Sequence, residues 1–271
     1  MKVAAMHEQP ACKPHGGAFE TSPRSRLGEA SSMRLPINNG RIRAFPEYGT
    51  AHAIINSHLV EAADSSKLSG RGGARNSATR ESYALTEENV VNLTVATRHA
   101  CKIGMPFTRM VTIHWEEAGV TLAQMAKATG HYIDLLSKAI ARHGSDTAYI
   151  WVHEGGQTKG GHCHFLIHVP ARIMPIVARL QRSWLRRITG RPYRKTVILS
   201  KPIGARLGLE IGNPELFAAN LEVALGYLCK AAPQTILDTH RIDRTHEPGG
   251  LIIGKRCGTS QNISAKARRE S

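Results

Sequence analysis

The sequence predicts an α+β fold, because strand-like and helix-like apolar patterns follow one another between residues 109 and 200. Residues 109–116 alternate apolar and polar side chains, as a half-buried strand does. Residues 121–143 then place apolar side chains at helical spacing, with an interruption at Gly130. A hairpin, a second amphipathic helix and a short strand follow. The order β-α-β-β-α-β predicts a split βαβ (ferredoxin-like) antiparallel sheet with flanking helices.

The hairpin is the part of this pattern around which the domain is arranged. Residues 147–154 and 162–169 are rich in β-branched, aromatic and aliphatic side chains, and residues 155–161 between them are rich in glycine. Apolar side chains at helical spacing return over residues 173–187, and residues 196–200 supply the last strand. The hairpin strands therefore stand between the two predicted crossover helices.

Composition divides the chain into three parts. Residues 1–88 contain five prolines and a Ser/Gly/Arg-rich run, and we expect a mostly disordered accessory leader. Residues 89–235 carry the periodic patterns and form the predicted folded domain. Residues 236–271 form a basic tail whose last part is rich in small residues, which we interpret as a nucleic-acid or subunit contact.

The chain lacks the sequence features of membrane and secreted proteins. No stretch approaches 18 consecutive apolar residues, and the amino-terminal residues lack the apolar core of a signal peptide. The five cysteines are an odd number without a Cys-x-x-Cys pair, which argues against a disulfide framework and a structural zinc ribbon. We therefore expect a cytoplasmic protein with no membrane partner.

The positive charge is concentrated in one window of the sequence. The chain carries a net charge of +15, and no acidic residue lies between Glu154 and Glu210, where there are eleven Lys and Arg residues. A window of one sign this long indicates a surface for a polyanion, although a plain basic surface remains the alternative. The residues expected to contact DNA are Arg172, Arg179, Arg182, Arg186, Arg187, Arg191, Arg194 and Lys195.

The second hairpin strand carries a candidate metal site. Period-two alternation places His162 and His164 on one face, opposite an apolar face, with their backbones about 6 to 7 Å apart. One divalent ion can bridge two imidazoles at this spacing. Glu154, at the end of the opposing strand, is the expected third ligand, and His114 is a weaker alternative for that role or for substrate contact. Imidazole and carboxylate ligands suit Mn²⁺ or Mg²⁺.

Two neighbouring histidines are not expected to join this site. His168 lies on the same face, but about 13 Å along the strand from His164, too far to share an ion. His153 precedes Glu154 and therefore points to the opposite face of its strand. We expect packing or surface exposure for His153.

A candidate nucleophile follows on a later helix, predicted over residues 215–232. Tyr227 and Lys230 are three positions apart and therefore share a helix face. Tyr193 is the competitor among the tyrosines, since it lies in a strongly basic loop. A helix nevertheless orients a side chain better than a loop does.

The order and spacing of these motifs resemble the HUH endonucleases, a superfamily of rolling-circle replication initiators and related enzymes. The likeness covers roughly residues 105–232 and consists of the His-x-His strand, a carboxylate eight positions upstream, and the helix with Tyr227 and Lys230. It implies a central His-x-His strand, a bound Mn²⁺ or Mg²⁺, and attack by Tyr227 on single-stranded or hairpin DNA, assisted by Lys230. It also implies a host helicase and polymerase that act in trans.

Other functions remain open beside this one. Relaxases tend to have a third motif histidine and an amino-terminal tyrosine, and small transposases lack such a leader, so a plasmid or phage replication initiator is favoured over both. A non-catalytic basic DNA-binding protein, with structural histidines, is the alternative from another class. Residues 249–256 resemble a phosphate-binding loop, but Arg256 stands where that motif needs Ser or Thr.

Overall fold

The computed structural model describes residues 79–156 and 160–271, so most of the expected leader lies outside the described residues. The strands are β1 (Glu81–Ser82), β2 (Arg109–His114), β3 (Tyr149–Gly156), β4 (Gly160–Ile167), β5 (Ile198–Pro202), β6 (Ile252–Ile253) and β7 (Cys257–Thr259). The helices are α1 (Glu87–Lys102), α2 (Leu122–Ala141), α3 (Met174–Thr189), α4 (Leu209–Gly212), α5 (Pro214–Cys229), α6 (Gln234–Thr239) and α7 (Ala265–Glu270). Short 3-10 turns cover Ala171–Ile173, Lys195–Val197, Ile203–Ala205 and Gln261–Ile263.

The main sheet has five antiparallel strands in the order β5-β2-β4-β3-β7. The predicted α+β class, with an antiparallel sheet and flanking helices, is confirmed. The elements from β2 to β5 follow one another in the predicted order, β-α-β-β-α-β. Strand β4, which carries the His-x-His motif, is the middle strand of the five.

The hairpin pairs further into its glycine-rich connection than the sequence predicts. Pairing continues to Gly156 opposite Gly160, beyond the expected ends of both strands. The backbones of neighbouring segments approach so closely here that only glycine fits: a Cβ on Gly155 would lie 2.3 Å from the carbonyl oxygen of Leu251. The extra pairs join the end of β3 to the start of β4, next to Glu154 and His162.

Helix α2 runs from Leu122 to Ala141 through Gly130 without the predicted interruption. Gly130 lies on an exposed part of the helix, with no atom of another element near its Cα. A glycine in a helix costs only about 1 kcal/mol relative to alanine. Burial of α2 side chains such as Met125, Tyr132 and Leu136 outweighs that cost.

Helices cover both faces of the sheet. Helices α2 and α3 pack on the face formed by Cys163, Phe165, Ile167 and Val169, which confirms the predicted apolar face of β4. Helices α1 and α5 pack on the other face, beside Leu166. The histidine face of β4 is therefore buried under a helical layer instead of open to solvent.

The last 36 residues contain structure that the sequence analysis does not predict. The sequence predicts a basic tail over residues 236–271, but β7 pairs with β3 at the edge of the main sheet. Strand β6 pairs with β1, which belongs to the expected leader, and Ile252 is fully buried in the core. These strands are only two or three residues long and show no periodicity that a sequence could reveal.

Arg256 ties this segment to the rest of the domain. Its side chain is 5% exposed and donates hydrogen bonds to the side chain and carbonyl of Ser82 and to the carbonyls of His153, Gly249 and Gly250. The residue that rules out a phosphate-binding loop is thus a structural one. A buried guanidinium is stable only when its donors are satisfied, as these are.

Replacement of Arg256 by Met is therefore expected to destabilise the fold strongly. It leaves several buried carbonyls without a donor, at a cost of about 3 to 5 kcal/mol. The measurement is the free energy of unfolding from urea denaturation. The control is Arg142→Met, which removes an exposed arginine. Equal stability of the two variants would contradict this role for Arg256.

Among the described residues, no helix has both the length and the apolar character needed to cross a lipid bilayer.

Candidate metal and tyrosine site

Three side chains converge at the end of the hairpin where its strands connect. The register places Glu154 directly opposite His162, and Val152 opposite His164. The Oε2 atom of Glu154 lies 3.3 Å from Nε2 of His162 and 3.6 Å from Nε2 of His164. All three side chains are buried, and their possible ligand atoms lie within 4.8 Å of one another. This group can hold a metal ion.

The second nitrogen of each ring fixes the orientation of the two imidazoles. Nδ1 of His162 lies 2.9 Å from the carbonyl oxygen of Gly160 and must donate to it, because a carbonyl only accepts. Nδ1 of His164 lies 2.8 Å from the hydroxyl of Thr112 on β2. Nε2 of His162 therefore points toward Glu154. Such outer partners are typical of histidines that bind metals.

Two polar atoms of the group have no hydrogen-bond partner among the described residues. They are Oε1 of Glu154 and Nε2 of His164, and both are inaccessible to solvent. An unpaired buried polar atom costs about 1 to 3 kcal/mol. A cation between these atoms would satisfy both, so the residues present fit a divalent ion.

The charge states of the group also suit a cation. Burial alone would raise the pKa of Glu154, but the adjacent His162 and His164 rings and the charge of Lys230 bring it well below its usual value. Burial lowers the pKa of His164 to about 4. At neutral pH the site therefore offers a carboxylate and a neutral imidazole, which are the forms that bind metals.

Lys230, which is buried, and Glu247, which is exposed, extend the group into an ionic network. Nζ of Lys230 lies 2.9 Å from Oε2 of Glu154 and 2.8 Å from Oε2 of Glu247. Burial lowers the pKa of Lys230, but the two carboxylates raise it overall. The lysine is therefore an ammonium ion next to the candidate metal ligands.

Helix α5 brings Tyr227 to the same place. The Asn213 side chain caps the helix by accepting a hydrogen bond from the backbone nitrogen of Leu216, and Pro214 occupies the first turn, as predicted. Buried side chains, including Leu221 and Leu228, pack α5 against the sheet. The ring of Tyr227 then meets the ring of His164 edge to face, with 4.9 Å between centroids. Burial raises the pKa of Tyr227, although the charge of Lys230 opposes this shift.

The remaining histidines of the hairpin region have separate positions. His153 is fully buried, with its ring nitrogens 2.8 Å from the hydroxyl of Thr129 and 2.8 Å from the carbonyl of Lys255, so its expected packing role is found. His168 bonds instead to the carbonyl of Pro106 at 2.7 Å. His114 pairs with His162 across the sheet, and their ring centroids are 5.5 Å apart. It borders the group of three without belonging to it.

The competing tyrosine lies in the other helical layer. Tyr193 packs with the core on the α2 and α3 side of the sheet, whereas Tyr227 packs on the α1 and α5 side. The guanidinium carbon of Arg182 lies 5.7 Å from the ring centroid of Tyr193. The structure thus places Tyr227, and not Tyr193, against the histidines.

The basic residues expected to contact DNA do not form one surface. Arg182, Arg186, Arg187 and Arg191 line an open groove of about 920 Å³ beside Tyr193. The others do not line this groove: Arg179 is exposed on α3 one turn before Arg182, Lys195 is exposed at the next turn, Arg194 bonds to the carbonyl of Glu117, and Arg172 bonds to His143 and Ser145. Arg172 therefore holds a turn in place.

The basic loop after α3 nevertheless reaches the end of the sheet that carries the candidate ligands. Glu117, which accepts from Arg194, follows the end of β2, where His114 is paired with His162. The basic loop and the candidate ligands thus approach the same end of the sheet from opposite helical layers.

Sequence reasoning missed two residues that border Tyr227. The guanidinium carbon of Arg244 lies 5.0 Å from the centroid of the Tyr227 ring. A nitrogen of Arg244 lies 3.0 Å from Oε1 of Glu247. Both residues lie in an irregular segment after α6, where no periodicity marks a side chain as part of a site.

Comparison with protein-family models, with curated proteins and with solved structures finds no match for this chain.

Proposed function

We propose that this protein is an HUH-type endonuclease that nicks and rejoins single-stranded or hairpin DNA through a covalent bond to Tyr227, and that it initiates rolling-circle replication of a plasmid or phage. One observation carries the proposal: the ring centroid of Tyr227 lies 4.9 Å from the ring centroid of His164. His164 belongs to the buried group of Glu154, His162 and His164 that can hold a metal ion. These residues come from different elements, β3, β4 and α5, and from positions up to 73 residues apart.

The strand order supports an HUH-like, ferredoxin-like core. Helix α2 connects β2 to β3, and β4 lies between these two strands in the sheet. Helix α3 connects β4 to β5, and β2 lies between those two strands. This is the arrangement of a split βαβ fold. The His-x-His strand is central in it, as the resemblance implies.

Each residue of the site has a chemical task in this reaction. The hydroxyl of Tyr227 attacks the phosphorus, and the bond from phosphorus to the 3′ oxygen of the preceding nucleotide breaks. The tyrosine loses its proton to solvent, the departing oxygen takes up a proton, and a 5′-phosphotyrosine and a free 3′-hydroxyl result. Lys230 offsets charge that develops on the phosphoryl oxygens. Attack by a 3′-hydroxyl on the phosphotyrosine reverses the step and rejoins the strand.

Glu154, His162 and His164 would hold the divalent ion, Mn²⁺ or Mg²⁺. When bound, such an ion polarises a phosphoryl oxygen as a Lewis acid. Nδ1 of His162, which bonds to the carbonyl of Gly160, and Nδ1 of His164, which bonds to the hydroxyl of Thr112, keep Nε2 of both rings directed at the site.

The arginines of α3 are proposed to bind the DNA backbone. Reversal of Arg179, Arg182 and Arg186 to Glu is therefore expected to flatten the dependence of DNA affinity on salt. The logarithmic slope should fall by about 2, since each phosphate contact on a single strand contributes about 0.7. The measurement is the affinity for a single-stranded oligonucleotide at several salt concentrations.

A matched control reverses three exposed cations outside the basic window and the basic tail, Lys102, Lys127 and Arg142. This control should keep the slope of the unmodified protein. An unchanged slope in the α3 variant would show that this helix does not touch DNA.

A covalent-adduct assay tests the proposed function. The protein is incubated with circular single-stranded DNA and Mn²⁺, and the products are separated under denaturing conditions. The proposal predicts nicked DNA attached to protein, and loss of the adduct with a chelator. Absence of an adduct with Mn²⁺ and with Mg²⁺ would favour a non-catalytic DNA-binding protein.

A further inference from the structure

Residues 241–250 form a segment that is hydrogen-bonded to the end of α5 and to β3, beside the candidate site. The backbone nitrogen of Glu247 donates to the carbonyl of Lys230 at 2.8 Å, and Gly155 donates to the carbonyl of Gly249 at 2.8 Å. The contact with β3 is close enough to exclude a side chain, since a Cβ on Gly250 would lie 1.7 Å from the carbonyl oxygen of Gly155. The segment is thus fixed both to the end of α5 and to the hairpin.

Glu247 places two cations around Tyr227. Its Oε2 lies 2.8 Å from Nζ of Lys230, and its Oε1 lies 3.0 Å from a nitrogen of Arg244. Nζ of Lys230 is 4.6 Å and the guanidinium carbon of Arg244 is 5.0 Å from the centroid of the Tyr227 ring. One carboxylate therefore sets the positions of both positive charges relative to the tyrosine.

The two cations differ in their access to solvent. The side chain of Lys230 is 7% exposed, whereas that of Arg244 is 29% exposed. Within the described part of the chain, the side-chain hydrogen bond of Arg244 goes to Glu247. A guanidinium has five N–H donors, so others remain for a ligand that approaches from outside.

We propose that Arg244 and Lys230 form a phosphate-binding site beside Tyr227, and that Glu247 is the positioning residue that holds them. The ligand is a phosphodiester group, and this inference rests on the proposed function. A planar guanidinium can donate two parallel hydrogen bonds to the oxygens of one phosphate, which a lysine cannot. Arg244 thus fixes the phosphate against the tyrosine hydroxyl and offsets the charge that develops during attack.

Glu247 has a second consequence for the metal ligands. Nζ of Lys230 also lies 2.9 Å from Oε2 of Glu154, the oxygen nearest both histidines. Without the charge of Glu247, Lys230 would pair with Glu154 alone and would compete with a metal ion for that oxygen. Glu247→Gln is therefore expected to weaken Mn²⁺ binding, while Arg244→Gln leaves it unchanged.

Phosphate binding by the full-length chain provides the test, since it does not require cleavage. Inorganic phosphate is titrated into the metal-free protein and followed by ³¹P NMR. Arg244→Gln should weaken binding at least about tenfold, as loss of a charged hydrogen bond does. Arg244→Lys should fall between that variant and the unmodified protein. Arg142→Gln, at an exposed arginine after α2, should bind phosphate normally.

Mn²⁺ affinity and DNA cleavage complete the experiment. Arg244→Gln should slow cleavage about 100-fold with normal Mn²⁺ affinity, and Glu247→Gln should weaken both phosphate and Mn²⁺ binding. Normal phosphate binding by Arg244→Gln, or normal Mn²⁺ binding by Glu247→Gln, would overturn the inference. If no protein cleaves DNA but phosphate binding depends on Arg244, the proposed function fails and the phosphate site stands.

Discussion

Replacement of Tyr227 by Phe is expected to abolish the covalent protein–DNA adduct. The change removes one oxygen and keeps the ring, so the contacts of the ring with His164 and Lys230 remain. Without the nucleophile no bond to phosphorus can form, and the adduct should fall by at least about 1,000-fold, to the limit of detection. The measurement is the yield of adduct on a single-stranded oligonucleotide with Mn²⁺.

Tyr193→Phe is the control for this variant. Tyr193 lies beside the arginine-lined groove in the other helical layer, so its loss should leave the adduct in place. DNA affinity and Mn²⁺ affinity of Tyr227→Phe should equal those of the unmodified protein. An adduct that survives Tyr227→Phe, or disappears with Tyr193→Phe, would contradict the assignment of the nucleophile.

Removal of both imidazoles is expected to have the second large effect. The double variant His162→Ala and His164→Ala should lose Mn²⁺ binding, measured by calorimetry, and divalent-ion-dependent cleavage. Two of the three candidate ligands are gone, and a single carboxylate paired with Lys230 cannot hold the ion. Loss of even an outer partner of a metal ligand typically costs 10- to 100-fold in affinity, so loss of two ligands costs more.

The double variant is also expected to be less stable than the unmodified protein. Both histidines are buried beneath the α1 and α5 layer, so the double variant leaves a cavity and should unfold more easily than the unmodified protein. His168→Ala, just beyond the end of β4 and bonded to Pro106, is the control and should retain ion binding and cleavage. Mn²⁺ binding and cleavage by a folded double variant would exclude these histidines as ligands.

The parts of the fold that the sequence predicts are those encoded by local periodicity. The alternation of residues 109–116 and 162–169 and the helical spacing of residues 121–143 specify the strands and helices, and the register of the hairpin agrees with the buried faces that this alternation requires. Local patterns are also sufficient to bring Glu154 opposite His162. The helix start at Asn213 and Pro214 is equally local.

Other features depend on long-range packing and could not be predicted in this way. Whether a helix lies on one face of a sheet or the other has no local signal, so the sequence did not separate the arginines of α3 from Tyr227 on α5. The histidine face of β4 is buried because α5 packs over it and brings Tyr227 against His164. Arg244 and Arg256 acquire their roles from a segment that folds back onto the hairpin, and nothing in its composition indicates this.

Identification of the amino acid bonded to DNA tests the central proposal most directly. The adduct of the unmodified protein with a single-stranded oligonucleotide is digested with protease, and the modified peptide is sequenced by mass spectrometry. The proposal predicts a phosphodiester link between the 5′ phosphate of the DNA and Tyr227. A link to Tyr193 or to any other residue would contradict it.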